Sequence, residues 1–379
     1  MTGALPSIEP ALTLEIDLVA LVENWRDLAR RSRPARASAV VKANAYGVGI
    51  APVVEALYRA GCRDFFAATV AEGATVRPLA PEARVFVLNG AYPGVEAAIR
   101  AADLVPVLSS SEQVALWTAG CAENGEHPAA LQVDTGMNRL GVTPAEAFSL
   151  AADATRPAGF SPVLVMSHLA CADEPGHPMN AKQCRTFQEV AGAFGDIESS
   201  LCNSGGIFLG GDFLCDLTRP GIALYGGACR NDTPNPMRPV ATARARILQI
   251  REAAAGETVS YGATERLARG TRIAVCAVGY ADGYPRNHSG AGVPLRETNA
   301  PKPHGFVAGR RVPVLGRITM DLTMFDITDV PAGEVHTGDF VELLGPNMPV
   351  DEVARAAGTI GYEVLTAMGG RYEREYRSG

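Results

Sequence analysis

Lysine is nearly missing from this chain. Three residues, Lys42, Lys182 and Lys302, stand against 31 arginines in 379 positions. A basic surface built from arginine has no spare amine, because a guanidinium stays protonated and forms no Schiff base, whereas a buried lysine can. Patterned cysteines are missing too. The eight (Cys62, Cys121, Cys171, Cys184, Cys202, Cys215, Cys229 and Cys276) include no CxxC pair. A metal or disulfide framework is therefore not expected, and they read as reduced core thiols of a cytoplasmic protein. No run approaches the ~18 uninterrupted apolar residues of a membrane span. The start, Met-Thr-Gly-Ala-Leu-Pro, carries neither the basic nor the apolar segment of a secretory signal. Neither a GxxxxGK(S/T) loop nor a strand–GxGxxG–helix unit occurs, which weakens a nucleotide reading. Excess positive charge is absent: a net charge of −7 with dispersed arginines disfavours nucleic acid as a partner.

What remains is an ordinary globular composition, 47% apolar and 20% charged. There is no internal repeat, and the length suits two domains or a barrel with an appendage. From about Leu12 to about Gly227, short apolar runs alternate with helical Ala/Leu/Glu/Arg segments. The runs lie at 37–41, 65–68, 84–88, 104–108, 129–133, 162–166, around 201 and at 221–225. Eight strands alternating with helices predict parallel βαβ units closed into a barrel. Past Arg230, the segment Asn231-Asp232-Thr233-Pro234-Asn235-Pro236 reads as a linker. Beyond it, β-rich runs at 245–250, 258–261, 272–278, 312–315, 324–327 and 340–344 precede helices near 350–357 and 362–368. The expected architecture is α/β: a (β/α)8 TIM-type barrel over 12–235, then a mainly β C-terminal domain over 236–379, with residues 1–11 as candidates to join it.

Chemistry in such a barrel sits at the C-terminal strand ends. The first run ends at Lys42 and another at Asp134. The run at 162–166 ends at Ser167-His168, that near 201 leads to Asn203-Ser204-Gly205-Gly206, and the last follows Arg219-Pro220. Each has a bland reading: a snorkelling lysine, a core histidine, a capping arginine, turn glycines. Their convergence on one rim favours a site. The set suits a phosphorylated aldehyde cofactor, with Lys42 supplying the imine. Ser204 and the N–H groups around Gly205, Gly221 and Ile222 would cradle the phosphate.

The strings VVKANAYGVG, VDTGMNRLG, Ser167-His168-Leu169, RPGIALYG, VSYGAT, VGYADGYPR, VLGRITMD and TIGYE follow one another in the order seen in alanine racemases. The chain thus resembles this fold-type-III pyridoxal-phosphate family from Leu14 to Tyr372. The resemblance implies that Lys42 holds pyridoxal 5′-phosphate and acts as the base on one face of the substrate. Tyr261 is similar to the opposite-face base, delivered by the partner subunit of a homodimer with shared active sites. Arg219 matches the arginine beside the pyridine nitrogen, and His168 the histidine near the ring, linked to Arg219. Tyr46, Ser204, Gly221, Ile222 and Tyr362 match phosphate contacts, with Asn203 beside them. Arg139 and the Met320 backbone match contacts to the substrate carboxylate, and Tyr280 resembles a tyrosine lining the substrate entrance. No metal is implied.

These residue types agree with racemisation, which removes the Cα proton from one face and returns one to the other. Lysine and tyrosine both have ordinary pKa values near ~10, so each needs a shifted environment to act as a base at neutral pH. A guanidinium at the ring nitrogen would leave that nitrogen unprotonated and the carbanion short-lived, which disfavours transamination. One residue departs from the family pattern: Gln132 stands where many members carry a carbamylated lysine that holds the carboxylate-binding arginine. Glutamine can hydrogen-bond Arg139 but brings no charge, so a bound anion such as chloride or a neutral hold are the alternatives. Thr319 stands where a cysteine is common. The expected activity is interconversion of L- and D-alanine, supplying D-alanine for peptidoglycan precursors. Rival readings are a serine or broad-specificity racemase and a non-catalytic cofactor-binding barrel. The latter resembles only the first half and does not explain a second domain carrying a candidate base.

Overall fold

The structure, a computed structural model, describes residues 9–152, 160–293 and 301–378. Of the segment 1–11 expected to join the second domain, residues 1–8 lie outside the described residues. The chain divides into two units, one spanning Ala20–Arg238, the other joining the chain up to Val19 to everything from Pro239 onward.

In the first unit, seven strands form one parallel ladder. They are Ala39–Val40, Asp64–Ala67, Arg84–Val87, Val105–Leu108, Ala129–Gln132, Pro162–Met166 and Glu198–Ser200. Helices cover the outer face, which is why strands such as Asp64–Ala67 and Val105–Leu108 are buried along their whole length. Several helices start at side-chain caps readable in the sequence: Thr69 and Thr143 form capping boxes with Glu72 and Glu146, and Ser110 caps Ser111–Asn124. An eighth, two-residue strand, Leu217–Thr218, pairs with Arg36–Ala37. It bonds the first strand through Ser38 N to Thr218 O (2.9 Å) and Val40 N to Pro220 O (3.0 Å). On its other side, Asp216 N donates to Ser199 O (3.1 Å) and Arg219 N to Cys202 O (2.9 Å). These bonds link the two ends of the ladder, so the ring closes with eight strands.

The last strand thus lies earlier than the apolar run at 221–225 implied. That run is a 3₁₀ turn, Ile222–Tyr225, following Pro220 and Gly221. It is apolar because it is buried, not because it is extended; Tyr225 is 1% exposed and donates its hydroxyl to Val40 O at 2.9 Å. A short buried apolar run does not reveal its own period.

At the N-terminal end of the ring, four strands begin with a charge: Arg36, Asp64, Arg84 and Glu198. Arg84 bonds Asp64 (2.6 Å) and Glu198 (2.7 Å), and Arg36 bonds Glu198 (2.8 Å) and lies 3.5 Å from Asp64. Burial would push the Glu198 carboxyl up, but its bonds to Arg36 and Arg84 outweigh this and hold it below the usual carboxylate range. The network closes the end of the barrel opposite the functional rim.

The second unit is an eight-stranded sheet. Six strands close on themselves: Ala241–Ala253, Thr271–Cys276, Thr323–Asp326, Arg310–Leu315, His304–Val307 and Phe340–Leu344. The long strand Ala241–Ala253 pairs with Thr271–Cys276 through a register shift between Ile247 and Gln249. The barrel was expected to begin at residue 12, but the strand Leu12–Asp17 belongs to this second unit. It pairs antiparallel with Ala241–Ala253 and parallel with Glu373–Arg377. Its alternation, with Leu12, Leu14 and Ile16 buried, is that of a strand covered on one face.

Candidate active site

Lys42 follows the strand Ala39–Val40, on the barrel's C-terminal rim. The sequence reads this stretch as a small-residue loop. The structure makes it a left-handed turn: Ala43, Asn44, Ala45 and Tyr46 all have φ of 53–54°. Left-handed backbone costs a non-glycine residue about 1–2 kcal/mol, so four in a row store several kcal/mol. The turn is held by its surroundings. Ala45 N donates to Val41 O (2.9 Å), Gly47 N to Ala43 O (2.8 Å) and Gly49 N to Asn44 O (2.9 Å). The Asn44 side chain accepts from Ile50 N (2.9 Å), and Asn44 N donates to the Glu72 carboxylate (3.3 Å). The Tyr46 ring stacks on Tyr225 at 4.6 Å.

The amine is half-buried. Desolvation lowers its pKa, the Arg139 cation lowers it further, and Glu72 partly opposes both. His168 follows the strand Pro162–Met166. Desolvation, then the charges of Arg219, Arg139 and Lys42, push its imidazole down to about 3, so it is neutral at physiological pH. Arg219 is 4% exposed. Burial lowers its pKa to about 10, which still leaves it charged. Its guanidinium bonds the Ser200 hydroxyl and the carbonyls of Ser167 and Leu201, with no carboxylate partner among the described residues. Among the described residues the His168 imidazole takes no part in these bonds. Gln183 holds the His168 backbone carbonyl at 2.9 Å.

The residues read as a phosphate cradle converge. Ser204 Oγ accepts from Gly221 N (2.9 Å) and Ala223 N (3.4 Å), tying the helix Ser204–Leu209 to the turn Ile222–Tyr225. Asn203 caps that helix by accepting from Gly206 N (2.9 Å). A Cβ on Gly221 would lie 2.2 Å from Tyr46 Oη, so only glycine lets that hydroxyl approach. The backbone N–H groups of Ser204, Gly205 and Ile222 donate to no protein acceptor among the described residues. Unpaired N–H groups in a buried setting call for an acceptor, and a phosphate dianion fits that need. With the amine of Lys42 and the cation of Arg219 in the same unit, these residues fit pyridoxal 5′-phosphate.

Arg139 lies in the loop after Ala129–Gln132 and is exposed. Gln132 donates to Val133 O (3.4 Å) rather than engaging Arg139. No carboxylate forms an ion pair with Arg139 among the described residues, so its charge is available to an anionic ligand. The other four candidates belong to the second unit. Tyr261 opens the turn Tyr261–Ala263 and is 72% exposed. Tyr280 and Met320 are neighbours: Tyr280 N donates to Thr319 O and Ala281 N to Met320 O, both at 3.0 Å. The N–H of Met320 has no protein acceptor among the described residues. Tyr362 stands exposed on the helix Gly361–Thr366. Sequence reasoning missed Glu72, Ser200 and Gln183. Glu72 alone had a signal, the Thr69-x-x-Glu72 capping pattern just after a strand.

Residues 16–229 match the family model described as "Alanine racemase, N-terminal domain", and residues 240–376 match "Alanine racemase, C-terminal domain". The chain is 61% identical over 365 residues to "Alanine racemase, biosynthetic" of Agrobacterium fabrum, covering 96% of this chain and 93% of that protein. It is 44% identical to the catabolic alanine racemase of the same organism, covering 96% and 91%. Among solved structures it is similar to alanine racemase from Bartonella henselae with covalently bound pyridoxal phosphate. That match has a TM-score of 0.89 and 37% identity, over 97% of this chain and 100% of that one.

Proposed function

This chain belongs to the alanine racemase family, and from that premise we propose how its own residues carry the reaction, where it runs and in what assembly. The activity is pyridoxal-phosphate-dependent racemisation of alanine. The bound cofactor supplies an aldehyde that condenses with an amine and a conjugated ring that withdraws electrons from Cα.

Lys42, Tyr46, Asn203, Ser204, Gly221 and Ile222, with Tyr362, hold the cofactor. Lys42 is the amine that bears it and exchanges a proton at Nζ on one face of the substrate; desolvation and Arg139 favour its neutral form. With the cofactor bound, Arg219 would set a fixed positive charge toward its ring nitrogen and neutral His168 would offer it no proton. Arg139 and the Met320 N–H bind the substrate carboxylate, and Tyr280 lines the approach. Tyr261 Oη exchanges the proton on the opposite face. Tyr261 is 72% exposed. That exposure supports a homodimer in which each chain lends Tyr261 to the other's site. The greater identity to the biosynthetic than to the catabolic relative supports supply of D-alanine to peptidoglycan precursors. That the eight cysteines form no disulfide among the described residues supports a reducing, cytoplasmic setting. No helix of the described residues is long and apolar enough to cross a membrane.

The observation that carries the site assignment is the Lys42 amine, on a strained rim turn, in one unit with a cradle of unpaired N–H groups. A chiral assay of the purified chain against a panel of L-amino acids, with Lys42→Ala in parallel, tests it. Alanine is expected to turn over fastest, and Lys42→Ala to lose both turnover and the cofactor's visible absorbance. Retained turnover in that variant would overturn the assignment.

A further inference from the structure

The left-handed turn after Lys42 needs an anchor at its start, and one carboxylate provides it. Glu72 lies on the helix Val70–Val76. Its Oε1 accepts from Asn44 N at 3.3 Å, inside the turn. Its Oε2 accepts from Ala68 N at 2.9 Å and Thr69 N at 3.4 Å, just beyond the strand Asp64–Ala67. That strand is the sheet neighbour of Ala39–Val40, which leads into Lys42. A single side chain therefore spans two adjacent strand ends at the rim. A capping box alone needs only the bond to the Thr69 N–H. The bonds to Asn44 and Ala68 exceed it and point to the turn as the group being served. Glu72 forms no ion pair among the described residues, so its charge faces backbone N–H groups and the amine nearby.

We propose that Glu72 is a positioning residue for the Lys42 amine, pinning the left-handed turn to the neighbouring strand end and offsetting the Arg139 cation at the amine. The proposal rests on Lys42 as the reactive amine. The charged and titratable groups acting on Lys42 are Glu72 from its helix, Arg139 from the loop after Ala129–Gln132, and His168, neutral, after Pro162–Met166. Replacing Glu72 with glutamine removes the opposing charge while keeping one oxygen for the turn. The amine should then lose its proton more readily, and the turn should open more often.

The scarcity of lysine makes the test specific. The full chain, freed of cofactor with hydroxylamine and dialysis, is methylated with formaldehyde and cyanoborohydride from neutral to alkaline pH. Peptide mass spectrometry then follows Lys42, with Lys182 and Lys302 as internal references. In Glu72→Gln, Lys42 should be modified about twofold or more faster at neutral pH, relative to the references, because an opposing charge is gone. Amide exchange across residues 42–49 should rise about tenfold, as expected for loss of a charged hydrogen bond. Thr69→Val, which removes the hydroxyl half of the same cap and leaves the carboxylate, should change neither. An unchanged Lys42 rate in Glu72→Gln overturns the proposal, as does the same change in Thr69→Val, which would mean only that the helix had loosened. Because the readout is made without cofactor, it stands apart from whether Lys42→Ala loses activity.

Discussion

At the scale of single residues, the site is a set of charges whose surroundings decide their states. His168 shows this most sharply. Desolvation first, then the Arg219, Arg139 and Lys42 cations, take it from an ordinary 6.5 to about 3. The unfolded chain accepts a proton there below pH 6.5 and the folded chain refuses it. Stability from this group is therefore complete above 6.5 and falls by roughly 1 kcal/mol per pH unit as the pH drops toward 3. Urea unfolding midpoints of the wild type should drop more steeply than those of His168→Gln between about pH 6.5 and 5. Parallel slopes would mean that the imidazole takes up protons freely in the folded state. Residue type made Lys42, His168 and Arg219 legible in the sequence, since each is an uncommon choice at a strand end. Ser200 and Gln183 were not legible, because they act only through atoms brought near by folding, and Glu72 was legible only as a helix-capping residue.

At the scale of elements, the turn at 43–46 carries the largest local cost. Ala43 is exposed with φ of 53°. Glycine there would shed about 1–2 kcal/mol of left-handed strain, set against its greater freedom in the unfolded chain. Thermal unfolding of Ala43→Gly should therefore be unchanged or raised. Ala56→Gly, inside the right-handed helix Ile50–Arg59, should lose about 1 kcal/mol. Equal losses in both would show that the turn is not left-handed in solution. Helical segments and apolar strand runs were readable, because composition and period are written in neighbouring residues. The eighth barrel strand was not: two residues, Leu217–Thr218, have too little length for a period, and the apolar run beside it is a buried 3₁₀ turn.

At the scale of the whole molecule, the proposed assembly makes a distinctive prediction. If Tyr261 serves the partner's Lys42, then mixing Lys42→Ala with Tyr261→Phe chains and allowing exchange creates heterodimers with one intact site. About a quarter of wild-type activity should return, since half of randomly paired dimers are mixed and each holds one intact site of two. No recovery, with exchange verified by mass, would place the two bases in one chain. The same separation of near and far governs the domain layout. The strand Leu12–Asp17 joins partners more than 200 positions later, such as Leu12 opposite Ala245, a pairing that no local pattern announces.

The sequence by itself determined the alternation of strands and helices in the first unit, the β-rich character of the second, the family and the activity, because these rest on residue type and short spacing. Only the tertiary structure decided which strand closes the barrel, which unit the first strand completes, and how the backbone after Lys42 is held. Those outcomes depend on hydrogen bonds and burial between distant segments. A left-handed turn of Ala, Asn, Ala and Tyr opposes local preference, and it persists because Glu72, the Asn44 side chain and the Tyr225 ring hold it in place.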